Sequence, residues 1–299
     1  MSEYKKFRQT GSDLIFDVAN HVLLTLALIS VLYPLVYIIS ASLSSPIAVM
    51  SGRVWLLPVD FGFQGYHAVL KNRQVWTGYG NSLFYTAAGT VINIIMTVLA
   101  AYPLSRKGVI GRNPIMFLFT FTMLFSGGLI PNYLLVKNLG MIDSRWALLI
   151  PGAMTVWNMI ITRTYFQTTI PNELYDSAEV DGCKDIGILF RIVLPVSGPI
   201  IAVNALFYAV DHWNAYFSAL IYLKSAKLYP LQIILRNILI ANQTDASMVA
   251  DVADLAAREG MKDLVKYSLI VVASLPALII YPFVQKYFVK GVMIGSIKG

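Results

Sequence analysis

The side chains able to do chemistry in this 299-residue sequence are few, and most sit inside long apolar runs. Asn93, Asn158, Asn204, Asp211, His212 and Asn214 each interrupt a stretch otherwise suited to hydrocarbon. A polar group there is costly, so it faces a bundle interior or a wet cavity. Two readings stay open. Asn93, Asn158, Asp211, His212 and Asn214 could line a hydrated path and bond the polar groups of a solute, with Trp213 or Tyr216 offering faces for stacking. Alternatively they tie the helices of two such subunits to one another, at about 0.6 kcal/mol per contact on average. Asp211 and His212 are adjacent, so on a helix they point about 100° apart and do not serve one face. His212 has no companion ligands, and no metal site is expected. The histidines, His21, His67 and His212, are scattered, and the single cysteine, Cys183, has no base beside it and can form no intrachain disulfide. Cys183 reads as a small, semi-buried residue. No catalytic constellation is present, so no enzyme is expected. No G-x-x-x-x-G-K-[ST] loop occurs either.

The elements that must carry these groups follow from composition. Apolar residues make up 57% of the chain and charged ones 13%, with mean hydropathy +0.65. Soluble domains carry about 25% charge, so much of this surface does not meet water. Six segments are long and apolar enough to span a bilayer: Val22–Ser42, Ser82–Leu104, Pro114–Tyr133, Trp146–Thr164, Val196–Leu223 and Leu264–Phe288. The third is interrupted by Ser126-Gly127-Gly128 and Pro131, and is expected to face the bundle with a short re-entrant or interfacial piece after it. The expected class is an all-α membrane protein with about six transmembrane helices. Residues 1–21 form a terminal segment and residues 22–299 a single transmembrane domain, with no soluble second domain. The first apolar run exceeds a signal-peptide core and reads as a retained helix.

The net charge of +7 is spread in short runs between apolar segments, which argues topology rather than nucleic-acid binding. Lys5, Lys6 and Arg8, then Arg106, Lys107 and Arg112, then Lys286, Lys290 and Lys298 place both termini and the second loop in the cytoplasm. Two longer segments then lie outside. Ser45–Asn81 holds Trp55, Phe61, Phe63, Tyr66 and Trp76, which suit a headgroup region. Lys224–Asp263 holds Leu231–Ile240, too short to span, and an acidic Ala-rich stretch, Asp245–Glu259, expected to be helical.

The most informative stretch is the cytoplasmic loop 166–195. Pro171 and Asn172 open a helix with Glu173 and Asp176 in its first turn. Leu174, Ala178 and Tyr175 fall near one face, and Gly182 ends the helix. Ile186–Leu194 is a second amphipathic segment, and Pro195 opens the next span. Pattern alone fits either a hairpin lying on the membrane or an element that docks a partner.

This loop resembles that of bacterial binding-protein-dependent ABC importer permeases. Their loop runs E-A-A, three residues, Gly, nine residues, I-x-L-P. Here stand Asp176-Ser177-Ala178, Glu179-Val180-Asp181, Gly182 and Ile192-Val193-Leu194-Pro195, with Asp for Glu and Ser for the first Ala. Residues 281–299 and Trp213-Asn214-Ala215-Tyr216-Phe217 resemble the maltose-type carbohydrate branch that serves oligosaccharide and polysaccharide-fragment uptake. The resemblance implies a type I ABC importer permease fold in a bacterial cytoplasmic membrane. It implies a heterodimer with a second, homologous permease, two ATP-binding-cassette ATPase subunits that hold ATP and Mg, and an extracytoplasmic solute-binding protein. No cofactor would be bound by this chain, and nucleic acid is not a partner. Lacking a phosphate loop, the chain would take its energy by contact. Glu173, Asp176, Ser177, Ala178, Asp181, Gly182, Leu194 and Pro195 would form the coupling loop, with Ala178 and Gly182 giving close approach. Lys290, Gly291, Gly295 and Lys298 in the tail 289–299 would reach between the ATPases, unless the tail is an ordinary frayed end. An ion-driven secondary transporter of small polar solutes is the alternative; it would show inverted repeats and more intramembrane acids.

Overall fold

The computed structural model describes residues 11–244, 260–276 and 278–279. The basic residues Lys5, Lys6 and Arg8, the acidic stretch 245–259 and the tail residues Lys290, Gly291, Gly295 and Lys298 lie outside the described residues. Helix is the regular structure throughout, with no strand among the described residues. Contacts divide the chain into two compact units. One joins the residues up to Lys71 with Ile238–Val272, and the other joins Asn72–Asn237 with the residues from Ala273 onward.

In the first unit, α1 (Gly11–Ser42) begins well before the expected Val22. Its 32 residues reach about 48 Å at 1.5 Å per residue, more than a bilayer core. Its apolar side chains are exposed along most of its length, and only Ser40, Ala41 and Ser42 are buried. The chain then turns through α2 (Pro46–Met50) and α3 (Gln64–Lys71). Ser45 caps α2 by accepting from Ala48 N, and Pro46 takes the first helical position, where its missing N–H is harmless. Trp55, Phe61 and Phe63 are exposed, as an interfacial segment requires. Tyr37 packs edge-on against Tyr267 at 5.7 Å.

The second unit is organised by α4 (Arg73–Ser105), capped at its start by the Asn72 side chain. It starts before the expected Ser82, because the polar turns at its head are held by the rest of the chain. Asn81 Nδ2 donates to the carbonyls of Lys227 and Tyr229, Tyr85 OH to Leu228 O, and Ser82 Oγ accepts from Leu231 N. The third expected span is broken: α5 (Arg112–Leu124) and α6 (Leu129–Asn138) meet at 114° across residues 125–128, where Gly128 takes φ +86°. No residue of α5 is fully buried; Met116 and Phe119 pack against the core while Phe117, Leu118, Phe121 and Leu124 stay exposed, so α5 covers the bundle with one side only.

The fourth expected span, Trp146–Thr164, is two pieces, α7 (Trp146–Leu149) and α8 (Val156–Thr169). Pro151 and Gly152 stand in the gap, and Thr155 caps α8. After α8 come α9 (Asn172–Val180) and α10 (Asp185–Val196), the latter carrying a π-helical turn at Leu189–Val193. α10 meets α11 (Gly198–Asn214) at 82°. The fifth span stops at Ala215, where the backbone is extended, and resumes as α12 (Phe217–Tyr222). A 3₁₀ turn at Ala226–Leu228 leads to α13 (Leu231–Thr244), and residues 260–276 form α14. Only α1 and α4 are single helices long and apolar enough to cross a membrane, or up to four spans if each bent pair is one, among the described residues.

Candidate functional site

The loop 171–195 folds as the spacing predicts, but against its own subunit. Pro171 is extended and precedes α9. The end of α9 is a Schellman closure: Cys183 N donates to Ala178 O at 2.9 Å and Gly182 N to Glu179 O at 3.0 Å. Gly182 supplies the left-handed residue with φ +77°, and nothing lies within 4 Å of a Cβ built there, so its constraint is conformational rather than steric. Tyr175 and Ala178, three residues apart, are buried. They share one core with Tyr102 and Leu104 of α4, Phe166 of α8 and Ile188 of α10. Ala178 therefore gives its close approach to its own chain. Glu173, Asp176, Ser177, Asp181, Gly182 and Pro195 are exposed and Leu194 is half-buried. The outward surface also carries apolar side chains: Leu174 is 40% exposed, Val180 88% and Ile186 72%.

Polar contacts join this hairpin to the end of α4. Arg106, the C-cap of α4, lies with its guanidinium 3.9 Å from the Tyr175 ring centroid and donates to Glu179 Oε1 at 2.6 Å. The ion pair is partly screened, with side chains 20% and 55% exposed, so it contributes less than about 1 kcal/mol; the ring contact adds about 0.5–1 kcal/mol. Burial pushes the Tyr175 phenol up, and the nearby Arg106 charge opposes it. Tyr102 OH donates to Asp185 O at 3.1 Å. Free carbonyls at the end of α4 are met from α8: Arg163 Nε donates to Leu104 O and Gln167 Nε2 to Ser105 O. A cation suits that end of a helix. A cleft of about 450 Å³ remains between α4 and the hairpin, edged by Leu99, Pro103, Val109 and Leu189.

The polar residues within the spans separate into two groups. Asn93, Asn158 and Trp213 are buried inside the subunit, and His212 is half-buried. Asn93 Nδ2 donates to Gly152 O at 2.8 Å, and its Oδ1 lies 3.2 Å from His212 Nε2. Thr97 Oγ1 and Tyr208 OH share a hydrogen bond of 2.6 Å, and Asn204 Nδ2 donates to Thr162 Oγ1. Trp213 Nε1 donates to Ala273 O and its ring meets Tyr79 edge-on. These groups tie α4, α8 and α11 together. Asp211, Asn214 and Tyr216 are exposed, Tyr216 at 48%. Asp211 stands about 20 Å along the helix axis from Gly198. An exposed carboxylate at that depth is costly against acyl chains, by about 2.5–3.5 kcal/mol on insertion scales, so it calls for a wet or proteinaceous neighbour.

At the far end of the unit from the hairpin, Arg73, Lys137, Arg145, Lys224 and Lys227 are exposed, and Arg145 lies over the Phe84 ring. Asp143, with φ +57°, accepts from the Lys224 and Ser225 amides and from the Ser225 hydroxyl. The spacing of residues assigns no site role to Arg106, Glu179, Arg163 or Asp143. Arg106 counted only as a topology charge, since its partner lies more than seventy positions on; Glu179 was one of three unassigned letters of the loop pattern. Among the described residues, no three His, Cys, Asp or Glu side chains converge as metal ligands.

Residues 93–294 match the family model described as binding-protein-dependent transport system inner membrane component. The polygalacturonan/rhamnogalacturonan transport system permease protein YtcP of Bacillus subtilis (strain 168) is 43% identical over 287 residues, covering 95% of this chain and 99% of that one. Protein LplC of the same organism is 39% identical over 299 residues, covering 100% of both. A chain in the crystal structure of a bacterial ABC transporter involved in the import of the acidic polysaccharide alginate superposes with TM-score 0.86 and 37% identity, covering 95% of this chain and 100% of that one.

Proposed function

The chain belongs to the binding-protein-dependent transport system inner membrane components, and on that premise we propose that it forms half of the membrane pore of an importer for acidic carbohydrate fragments. The family is one of transport permeases, so the chain is a transport subunit and not an enzyme, and an ion-driven secondary transporter is unsupported. Carbohydrate import follows the relatives, which serve polygalacturonan, rhamnogalacturonan and alginate. Acidity is supported from within the chain. Exposed Arg73, Lys137, Arg145, Lys224 and Lys227 crowd the end opposite the loop, the side where the positive-inside rule disfavours them. Such cations would attract a polyanion and gather it at the mouth.

The family implies ATPase and binding-protein components and a second permease. In the proposed assembly that permease is a homologous partner in a heterodimer, and two ATPases bind the ATP and Mg. In this reading the chain crosses the bacterial cytoplasmic membrane six times with both termini inside: α1 and α4, the bent pair α5–α6, the broken pair α7–α8, α11, and the span expected at 264–288. One observation carries the coupling reading: α9 and α10 turn Tyr175, Ala178 and Ile188 inward while Leu174, Val180 and Ile186 stay outward. That outer apolar surface sits at a polar end of the bundle and suits a protein groove. Glu173, Asp176 and Asp181 would orient the contact. The tail, through Lys290, Gly291, Gly295 and Lys298, is proposed to add a second contact. The path in this reading is narrowed to Asp211, Asn214 and Tyr216; Asn93, His212 and Trp213 hold the helices behind it, where Asn158 is also buried.

The test is reconstitution of the whole assembly in liposomes with its binding protein. ATP-dependent uptake of an oligouronate, exceeding that of a neutral oligosaccharide of equal length, is expected. Uptake that survives removal of the ATPase subunits, or a permease that never co-purifies with them, would refute the reading.

A further inference from the structure

We propose that Arg106 is a positioning residue for ATP coupling: its guanidinium fastens the docking helix α9 to the end of α4, so that the two travel as one body. The proposal rests on the docking reading of residues 171–195. A docking helix can transmit force only if it does not slide over its own subunit. α9 has nine residues, too few for a helix stable by itself. Two buried side chains, Tyr175 and Ala178, seat it. Apolar burial is non-directional, so it fixes the register of α9 less sharply than a directed polar contact would. Arg106 adds direction, holding the ring face of Tyr175 and the carboxylate of Glu179 one turn later at the same time. Its own backbone is held as well, since it caps α4 and its carbonyl accepts from Arg112 Nη1. Arg163 and Gln167 tie the same turn of α4 to α8.

What moves with α4 is the polar seam. Asn93 lies on it, and Gly89 packs so closely to the His212 ring that a Cβ would come within 2.3 Å of Nε2. A displacement at Glu179 therefore has a packed route to α11, which carries Asp211 and Asn214. Lysine could replace the charge at position 106 but not the flat, forked geometry that stacks and donates together.

The experiment uses the complete transporter in liposomes, scoring ATPase retained, ATP hydrolysed and saccharide delivered. With Arg106→Ala the ATPase stays bound and hydrolysis continues, while saccharide delivered per ATP falls by about fivefold or more, the low end of coupling between sites. Arg106→Lys restores most of the ratio, and Glu179→Gln lies between. In a second arm, Arg106→Cys with Glu179→Cys in a Cys183→Ser background is bridged by a bifunctional thiosulfonate. Transport persists in the bridged protein, because the two sites need not part. An unchanged ratio in both Arg106→Ala and Glu179→Gln, or transport lost on bridging and regained on reduction, would overturn the proposal. Should Arg106→Ala fail to assemble, Glu179→Gln and the bridge decide. Loss of the ATPase from the unaltered protein would instead refute the docking reading.

Discussion

A carboxylate reached by two backbone amides and a hydroxyl is held in its charged form. Asp143 is such a group: its hydrogen bonds from the Ser225 hydroxyl, and from the Ser225 and Lys224 amides, keep its carboxyl below the usual aspartate range. Because the folded value is depressed, its stabilisation is present above the ordinary carboxylate range and is lost as pH falls through the folded value. Protection factors for amide exchange at Lys224 and Ser225, taken against the intrinsic rate at each pH, should therefore hold to mildly acid pH and fall only below the normal aspartate titration. Asp143→Asn should weaken this tie less than Asp143→Ala, since Asn tolerates the positive φ that Ala resists. A second prediction at this scale concerns Gly89. Gly89→Ala would drive a methyl into the His212 ring, overpacking that costs about 1–3 kcal/mol. Thermal unfolding should show a lower midpoint, largely recovered when His212→Ala is added.

The elements explain how so short a hairpin keeps its form. α9 closes on Gly182 in a left-handed conformation, which β-branched residues resist by about 1–2 kcal/mol. Gly182→Val should lower the ATPase retained on co-purification, while Gly182→Asn should retain nearly all of it. Much of this hairpin was legible, because Pro171, the acids of the first turn and Gly182 are local signals read within a few residues of one another. The inward face was harder. Spacing put Leu174, Tyr175 and Ala178 near one side, but only packing against Tyr102 and Phe166 separates buried Tyr175 from exposed Leu174. The break after α5 was legible from Ser126-Gly127-Gly128, whereas the split between α7 and α8 was not, although Pro151-Gly152 marks it. Hydropathy windows average across such a pair and miss a turn whose carbonyl, at Gly152, is met by Asn93.

At the scale of the molecule, the exposed apolar flanks of α1 and α5 and the exposed Asp211 call for lipid and protein neighbours. The cations at the end of the unit opposite the hairpin lead to a prediction in the assembled transporter. Uptake of an acidic saccharide at limiting concentration should fall as salt rises from low to physiological strength, whereas maximal uptake changes little, because screening acts on encounter beyond about 8–10 Å. Replacing Lys224 and Lys227 with Gln should flatten that dependence, as read from initial rates.

Helical class, membrane residence and the form of the hairpin at 171–195 were determined by sequence alone, since each is written in composition or in spacings shorter than a loop. Which polar residues are buried with partners inside the subunit and which are exposed was decided by tertiary structure. Asn93 and Asp211 look alike in a string, as polar letters in apolar runs. Only the approach of α4, α8 and α11 gives Asn93 its partner carbonyl and leaves Asp211 outside. The same holds for Arg106, whose meaning depends on a carboxylate brought near by folding rather than by chain order.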